Sequence, residues 1–252
     1  MELVYAKSDH GKLECESVTT PHRIEATNGK IYAVKFPPCH EPNSNFNEYL
    51  GSCLAKNLKI SVLEPYIMKL DADFIDNADE IRKRGILPGK YFATLFIEDA
   101  YNLVDYEESS DIINLSEVSK FIVFDVFIHN TDRHGRNIMI IPTSESNKAS
   151  YKYVLIDHGR CFEICDGKLP YVAQKIQWQT KYVNIRDIRN SAEDISENVT
   201  PYRIDIIYEN IRYSDVNMNH STVLKNELTN RDSLKIINAI DERNGHLFAD
   251  GI

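Results

Sequence analysis

Phe127-Ile128-His129-Asn130-Thr131-Asp132-Arg133-His134-Gly135-Arg136-Asn137-Ile138-Met139-Ile140, with Leu155-Ile156-Asp157-His158-Gly159 further on, is the stretch whose reading decides the fold. Before it, from about Ser116, Val118, Phe121, Ile122, Val126 and Ile128 recur at helical spacing and predict a helix with a broad apolar face. The pattern then breaks. Asn130 to Asn137 is polar and charged, Ile138–Ile141 is a short apolar run, Pro142–Ser150 is a polar loop, and Tyr151–Ile156 is a second apolar run ending at Asp157. A β-hairpin that follows a helix and carries polar residues at both roots sets those residues side by side.

Transfer of a phosphoryl group from a nucleotide asks little covalent chemistry of a protein. It needs a carboxylate beside the acceptor hydroxyl, oxygen ligands for a hard divalent cation, and a positive charge against the phosphates. Asp132 can supply the first; Asn137 and Asp157 can supply the second, because Mg²⁺ takes oxygen ligands and only one or two protein carboxylates. The third falls to Lys35, in the alternating run Tyr32-Ala33-Val34-Lys35-Phe36.

Working back toward the N-terminus, His22–Ala26 and Ile31–Phe36 read as two strands joined by Thr27-Asn28-Gly29-Lys30, a hairpin signal. Phe46, Tyr49, Leu50, Cys53, Leu54 and Leu58 line one face of a helix, with Asn45 and Glu48 spaced as a capping pair. Small residues at Gly51, Ser52 and Ala55 allow close packing on the face that carries Glu48. Val62–Leu70 and Tyr91–Ile97 read as two further strands separated by a polar stretch, and Asp105–Ser110 as a solvated acidic segment. Beyond Cys161 only Arg203–Ile211 and Ser233–Asp241 stand out as helices.

These motifs, in this order, resemble the protein-kinase-like fold, and specifically its HipA-like and phosphatidylinositol-kinase-like branches. Asp132-Arg133-His134-Gly135-Arg136-Asn137 matches an Asp-Arg-His-x-x-Asn catalytic loop at every fixed place, and Asp157-His158-Gly159 resembles the metal-binding Asp-Phe-Gly segment with His for Phe. Tyr32-Ala33-Val34-Lys35 resembles the strand bearing the nucleotide lysine, Asn47-Glu48 the helix glutamate that pairs with it, and Pro88-Gly89-Lys90-Tyr91-Phe92 the run into the hinge. The resemblance covers roughly Val18 to Gly159.

It implies an α+β, two-lobed protein-kinase-like fold, with a small β-rich N-lobe carrying one helix (residues 1–98) and a mainly helical C-lobe (99–252). It further implies a kinase using ATP and Mg²⁺. Asp132, His134 and Asn137 would be catalytic; Asn137 and Asp157 would hold the metal; and Lys35, Glu48, Phe96, Glu98, Thr19, Thr20 and Arg136 would bind the nucleotide. The favoured acceptor is a Ser/Thr hydroxyl of a protein, and an antitoxin partner belongs to the same implication. Two departures stand against it. Glu16-Ser17-Val18-Thr19-Thr20-Pro21 lies where a Gly-rich loop is usual, and the chain is shorter than the best-known HipA toxins, with no fused DNA-binding module.

Each residue also has a bland reading: Lys35 as an exposed strand lysine, Glu48 as a helix cap, Asp132 and Asn137 as turn formers, Arg133 and Arg136 as solvated, structural or phosphate-facing charges, and His134 as a structural hydrogen-bonding group. Three functions compete: an active kinase for a protein, lipid or small-molecule hydroxyl; a nucleotide-binding pseudokinase; and a metal-dependent phosphohydrolase built on His129, His134, Asp157 and His158. A formal charge of −9 disfavours general binding to nucleic acid or anionic membrane. No apolar run is long enough to cross a bilayer, and the start of the chain lacks the pattern of a signal peptide. Five cysteines without a C-x-x-C pair fit reduced thiols and a cytoplasmic protein.

Overall fold

A computed structural model of the protein describes residues 2–13, 20–37, 41, 43–106, 111–143, 150–173, 183–211 and 218–244. Five strands close into a barrel in the order β1 (Glu2–Lys12), β2 (His22–Ala26), β3 (Ile31–Val34), β5 (Gly89–Leu95), β4 (Pro65–Leu70). All neighbours run antiparallel except β1 and β4, which pair in parallel from Glu2↔Tyr66 to Tyr5↔Lys69. The β2–β3 hairpin turns through Thr27, Asn28 and Gly29. The Gly29 amide closes the turn on the Ala26 carbonyl, and Gly29 itself takes φ +78°, a three-residue loop with glycine in the left-handed position.

Val4, Ile24, Tyr32, Val34, Phe36, Met68, Leu70 and Ala93 fill the barrel. Besides the one helix expected, the polar stretch after β4 forms two short ones, α2 (Ala72–Asn77) and α3 (Asp79–Lys83). Asp71 starts α2 by accepting the Phe74 amide at 2.8 Å, and Phe74, Ile75 and Ile81 join the barrel core.

Helix α1 (Ser44–Asn57) crosses from β3 toward β4. The capping pair expected of Asn45 and Glu48 does not form. The helix begins at Ser44 after Asn43, and the Glu48 carboxylate is turned instead to Lys35 and to the His158 amide. The apolar face of α1 (Phe46, Tyr49, Leu50, Leu54, Leu58) belongs to a second, larger core with Phe121, Phe124 and Phe127 of α4 (Val118–Phe127), Ile138 and Ile140 of β7 (Ile138–Thr143), and Tyr153 and Leu155 of β8 (Ser150–Leu155). α1 thereby welds the barrel to the rest of the molecule, and the Tyr49 hydroxyl donates back to Tyr91 O of β5 at 2.9 Å.

β7 and β8 form the expected hairpin, in register from Ile138↔Leu155 to Thr143↔Ser150, and β6 (Tyr101–Asn102) adds a third strand along β7. Four helices complete the fold: α5 (Ile185–Asn198), α6 (Pro201–Ile211), α7 (Met218–Thr229) and α8 (Ser233–Arg243). Of these the sequence reading named α6 and α8. Among the described residues no helix is long and apolar enough to cross a membrane, and Cys53, Cys161 and Cys165 are free thiols.

Candidate active site

Helix α4 ends in a way that shapes everything after it. The Asn130 amide reaches back to Asp125 O at 2.8 Å and the His129 amide to Val126 O at 3.2 Å, while His129 adopts φ +53°. This is the left-handed helix stop usually given to glycine. The chain leaves it as the polar loop, crosses a 3-10 turn at Gly135–Asn137, and enters β7.

Within the loop, Asp132 is partly exposed and its amide donates to Asn130 Oδ1 at 3.0 Å. Asn137 is buried, and its Nδ2 donates to the Asp132 carbonyl at 2.8 Å, which leaves Oδ1 as the group able to accept from or ligate something else. Across the hairpin root the Ile156 amide donates to Asn137 O at 3.2 Å, so the residue just before Asp157 is tied to Asn137 itself. The convergence of the two roots is thus a matter of backbone hydrogen bonding.

Asp157 stands at φ +62°, a strained conformation for a residue with a side chain. Its Oδ1 lies 2.8 Å from Lys35 Nζ, and the same ammonium donates to Glu48 Oε1. Glu48 Oε2 accepts the His158 amide at 3.0 Å and Asn47 Nδ2 donates to Gly159 O at 2.8 Å, so α1 grips the Asp-His-Gly segment from two successive residues. Gly159 packs close to the start of α1: a Cβ on it would sit 2.7 Å from Ser44 Oγ.

Burial opposes the charge on Lys35, but Asp157 and Glu48 outweigh it and raise the ammonium pKa. Burial likewise works against the Asp157 carboxylate, yet Lys35 beside it holds the group below the ordinary range. Glu48 is pushed up, since at 1% exposure its burial exceeds what Lys35 returns and Asp157 adds repulsion. Lys35 shared between two acids is the electrostatic centre of the site.

The cleft beside this centre has a volume of about 280 Å³. Ala33, Leu63, Phe92, Thr94, Met139 and Leu155 line it together with Phe96, Ile97 and Glu98, and the charged Lys35, Glu48 and Asp157 complete the lining. An apolar slot with a charged cluster in its lining suits a flat heteroaromatic ring joined to phosphates.

Other expected residues sit elsewhere. His134 is exposed, and its Nδ1 accepts the Arg136 amide at 3.2 Å, a turn-closing bond. Arg136 is exposed in the same turn and does not line the cleft. Thr20, at φ +41°, gives its carbonyl to Arg84 at 2.9 Å and does not line the cleft, although Leu13 and Pro21 on either side of that loop do. Thr19 and Ser17 lie outside the described residues.

Arg133, read from sequence as solvated, structural or phosphate-facing, is structural: it is 9% exposed and bound to Asp125. Its partner is eight residues upstream on α4, and nothing local in the sequence announces it. Arg160 was likewise missed. It donates to Glu41 at 2.9 Å and comes within 3.8 Å of Asp132 Oδ2. The histidines do not gather as a metal site: His158 is buried behind Asp157, His129 is bonded to Glu163 O, and no group of three His, Cys, Asp or Glu able to hold a metal ion occurs among the described residues.

A five-stranded barrel with a gripping helix, a helical second part, and a Lys–Glu–Asp cluster in the cleft between them define a protein of the protein-kinase-like fold. The chain belongs to the HipA-like kinase family, whose pattern matches residues 10–200. Among solved structures it is similar to the Helicobacter pylori proinflammatory kinase CtkA, at 17% identity and a TM-score of 0.59 over 94% of this chain and 95% of that one. It is also similar to a Golgi casein kinase, at 11% identity and a TM-score of 0.56 over 96% and 75%. HipA of Shewanella oneidensis MR-1, solved with HipB and operator DNA, is a looser likeness, at 13% identity and a TM-score of 0.45 over 93% and 67%. At these identities the likeness concerns the fold alone. No curated protein matches the sequence.

Proposed function

We propose that this kinase moves the γ-phosphoryl group of ATP to a hydroxyl, by the family's likeness the Ser or Thr hydroxyl of a protein, with Mg²⁺ as the metal. The observation that carries the reading is the double contact of Lys35 with Glu48 and Asp157 in the lining of the cleft. An unpaired lysine there would be an ordinary strand residue; one held by a buried glutamate is preset to meet phosphate oxygens.

In this reading Phe96, Ile97, Glu98, Ala33 and Met139 border the adenine. Asn137 Oδ1 and the Asp157 carboxylate are hard oxygen donors, and two such ligands are what Mg²⁺ takes from a protein when phosphates supply others. When bound, the metal neutralises charge on the phosphates. Asp132 sits in the loop with its carboxylate partly exposed and receives or orients the acceptor's proton. His134 and Arg136 serve the turn that carries Asn137. The division into a nucleotide-binding N-lobe of residues 1–98 and a C-lobe of 99–252 follows the cleft. A cytoplasmic location and an antitoxin partner go with the HipA-like reading.

The test is transfer of labelled γ-phosphate by the purified chain in cell extract, with wild type against Asp132→Ala. Labelling of a protein, or of the chain itself, that falls by about 100-fold or more in the variant is the expected result. Equal background signals from both, with nucleotide still bound, would leave a pseudokinase; a labelled lipid or metabolite would move the acceptor class.

A further inference from the structure

We infer that Asp125 and Arg133 form a buried positioning pair that sets the spacing of the two metal ligands and the aim of Asp132, an inference resting on the phosphotransferase reading above. Arg133 holds three things at once. Its Nη1 donates to the carbonyls of both Asn137 and Ile156, the last bridging atoms before the two hairpin roots part. Its Nε and Nη2 donate to the two oxygens of Asp125, at 2.9 and 3.1 Å. A planar guanidinium with fixed donor directions can span such a set; an ammonium cannot.

Asp125 in turn faces the loop from α4. Its Oδ1 also accepts Asn130 Nδ2 at 2.9 Å, and Asn130 Oδ1 accepts the Asp132 amide at 3.0 Å. One carboxylate therefore reaches Asp132 through Asn130, and Asn137 and Asp157 through Arg133. Asp125 is 5% exposed and Arg133 9%, and the neighbouring charges hold the Arg133 pKa above its ordinary value against burial. Neither touches the cleft, so neither meets nucleotide or metal directly.

A buried ion pair is a poor source of stability, because desolvation consumes most of its Coulomb gain, and an apolar pair of similar volume often folds equally well. Stability alone thus gives Asp125 and Arg133 little reason to be there. Fixing the positions of three backbone groups does, and outer residues that orient metal ligands typically change metal affinity by about 10- to 100-fold when removed.

The test separates the two roles. Arg133→Met alone leaves the Asp125 carboxylate buried without its partner and lowers the unfolding temperature. The double variant Asp125→Leu/Arg133→Met removes both charges and regains most of that loss. In the refolded double variant, without nucleotide, hydrogen exchange at the Asp132 and Ile156 amides is expected to accelerate by about tenfold. The Mg²⁺ needed for half-maximal binding of mant-ATP is expected to rise by about tenfold or more. Wild-type exchange at both amides in a stably folded double variant overturns the inference. Should the double variant not fold, Arg133→Lys, which keeps the charge balance but not the fork, decides by the same exchange measurement. A wild-type chain that binds no Mg²⁺-nucleotide counts against the kinase reading, while the exchange rates still decide the positioning.

Discussion

Gly51 of α1 and His158 after β8 are packed so closely that a Cβ on Gly51 would lie 2.6 Å from the Cβ of His158 and 2.8 Å from its Cγ. The atoms met are the base of a fully buried side chain and cannot swing aside. The helix that carries Glu48 and the segment that carries Asp157 are spaced by this contact. Gly51→Ala is helical at a favourable position and would by propensity alone stabilise α1 by up to about 1 kcal/mol. The overlap reverses the sign. We expect a net loss of about 1–3 kcal/mol, as for other overpacked interiors. Weakened nucleotide binding should accompany it, because α1 must back away from Lys35. A variant with a higher unfolding temperature than wild type, followed by circular dichroism, would refute the close packing.

His158 itself has an unusual position. Its ring is 1% exposed and edge-on to Phe124 at 6.1 Å between centroids; among the described residues neither ring nitrogen has a hydrogen-bond partner, the Glu48 carboxylate lying 4.0 Å from Nδ1. A buried unpaired polar atom costs about 1–3 kcal/mol. His158→Phe replaces both nitrogens with carbons and adds one ring carbon, in a place already lined by the Phe124 ring and at the end of the ring away from the Cβ that meets Gly51. The expected gain is about 1 kcal/mol, or roughly 2–4 °C in unfolding temperature for a chain of this size. A drop in unfolding temperature would mean that the imidazole is satisfied by something its described neighbours do not provide.

The parts of the molecule that could be read from sequence are those whose signal is local. The helix through Val126, the loop to Asn137 and the β7–β8 hairpin each carry their own periodicity or punctuation, so the placing of Asp132, Asn137 and Asp157 on one side followed directly. β1 could not be read that way. Its run Ala6-Lys7-Ser8-Asp9-His10-Gly11-Lys12 is polar, and its pairing with β2 shifts register twice, so no clean alternation survives. α5 buries only Ile188, Ala192 and Ile195, a sparse but correctly spaced stripe that a stricter count would have found. Arg133 was legible as a charge and not as a buried clamp, because that depends on Asp125 lying across the turn, a relation between helix and loop that exists only once the chain has folded.

His129 makes the fold sensitive to acid. It is 4% exposed, and burial lowers its pKa below the ordinary value even though the Glu163 carbonyl, 3.0 Å from Nδ1, favours a protonated nitrogen. The unfolded chain takes up a proton near the ordinary histidine pKa of about 6.5, while the folded chain resists it. The unfolded state therefore binds more protons below that pH, and stability falls as pH drops from there toward the lower folded value. His129→Asn keeps a residue that tolerates φ +53° and does not titrate. Between about pH 7.5 and about pH 5 its unfolding temperature should decline less than that of wild type. A constant difference between the two across that range would remove His129 from the account.

Gly135, in the loop between Asp132 and Asn137, poses the same steric question as Gly51 with the opposite answer. A Cβ there would lie 2.7 Å from Val104 Cγ1, nearly the overlap found at Gly51. But Val104 is 56% exposed, and the atom met is the end of its side chain, free to rotate into solvent. The backbone of Gly135 does not occupy the left-handed region, so alanine meets no conformational penalty either. Gly135→Ala should change stability by no more than about 0.5 kcal/mol, the range of ordinary surface substitutions. Phosphate transfer should stay near wild type, because the His134–Arg136 turn and the Asn137 side chain are unaffected by a methyl group that points at Val104. The measurement is unfolding temperature and transfer rate side by side for Gly51→Ala and Gly135→Ala. If both variants suffer alike, the overlap distance rather than the mobility of the atom met governs the cost, and the argument for Gly51 loses its basis.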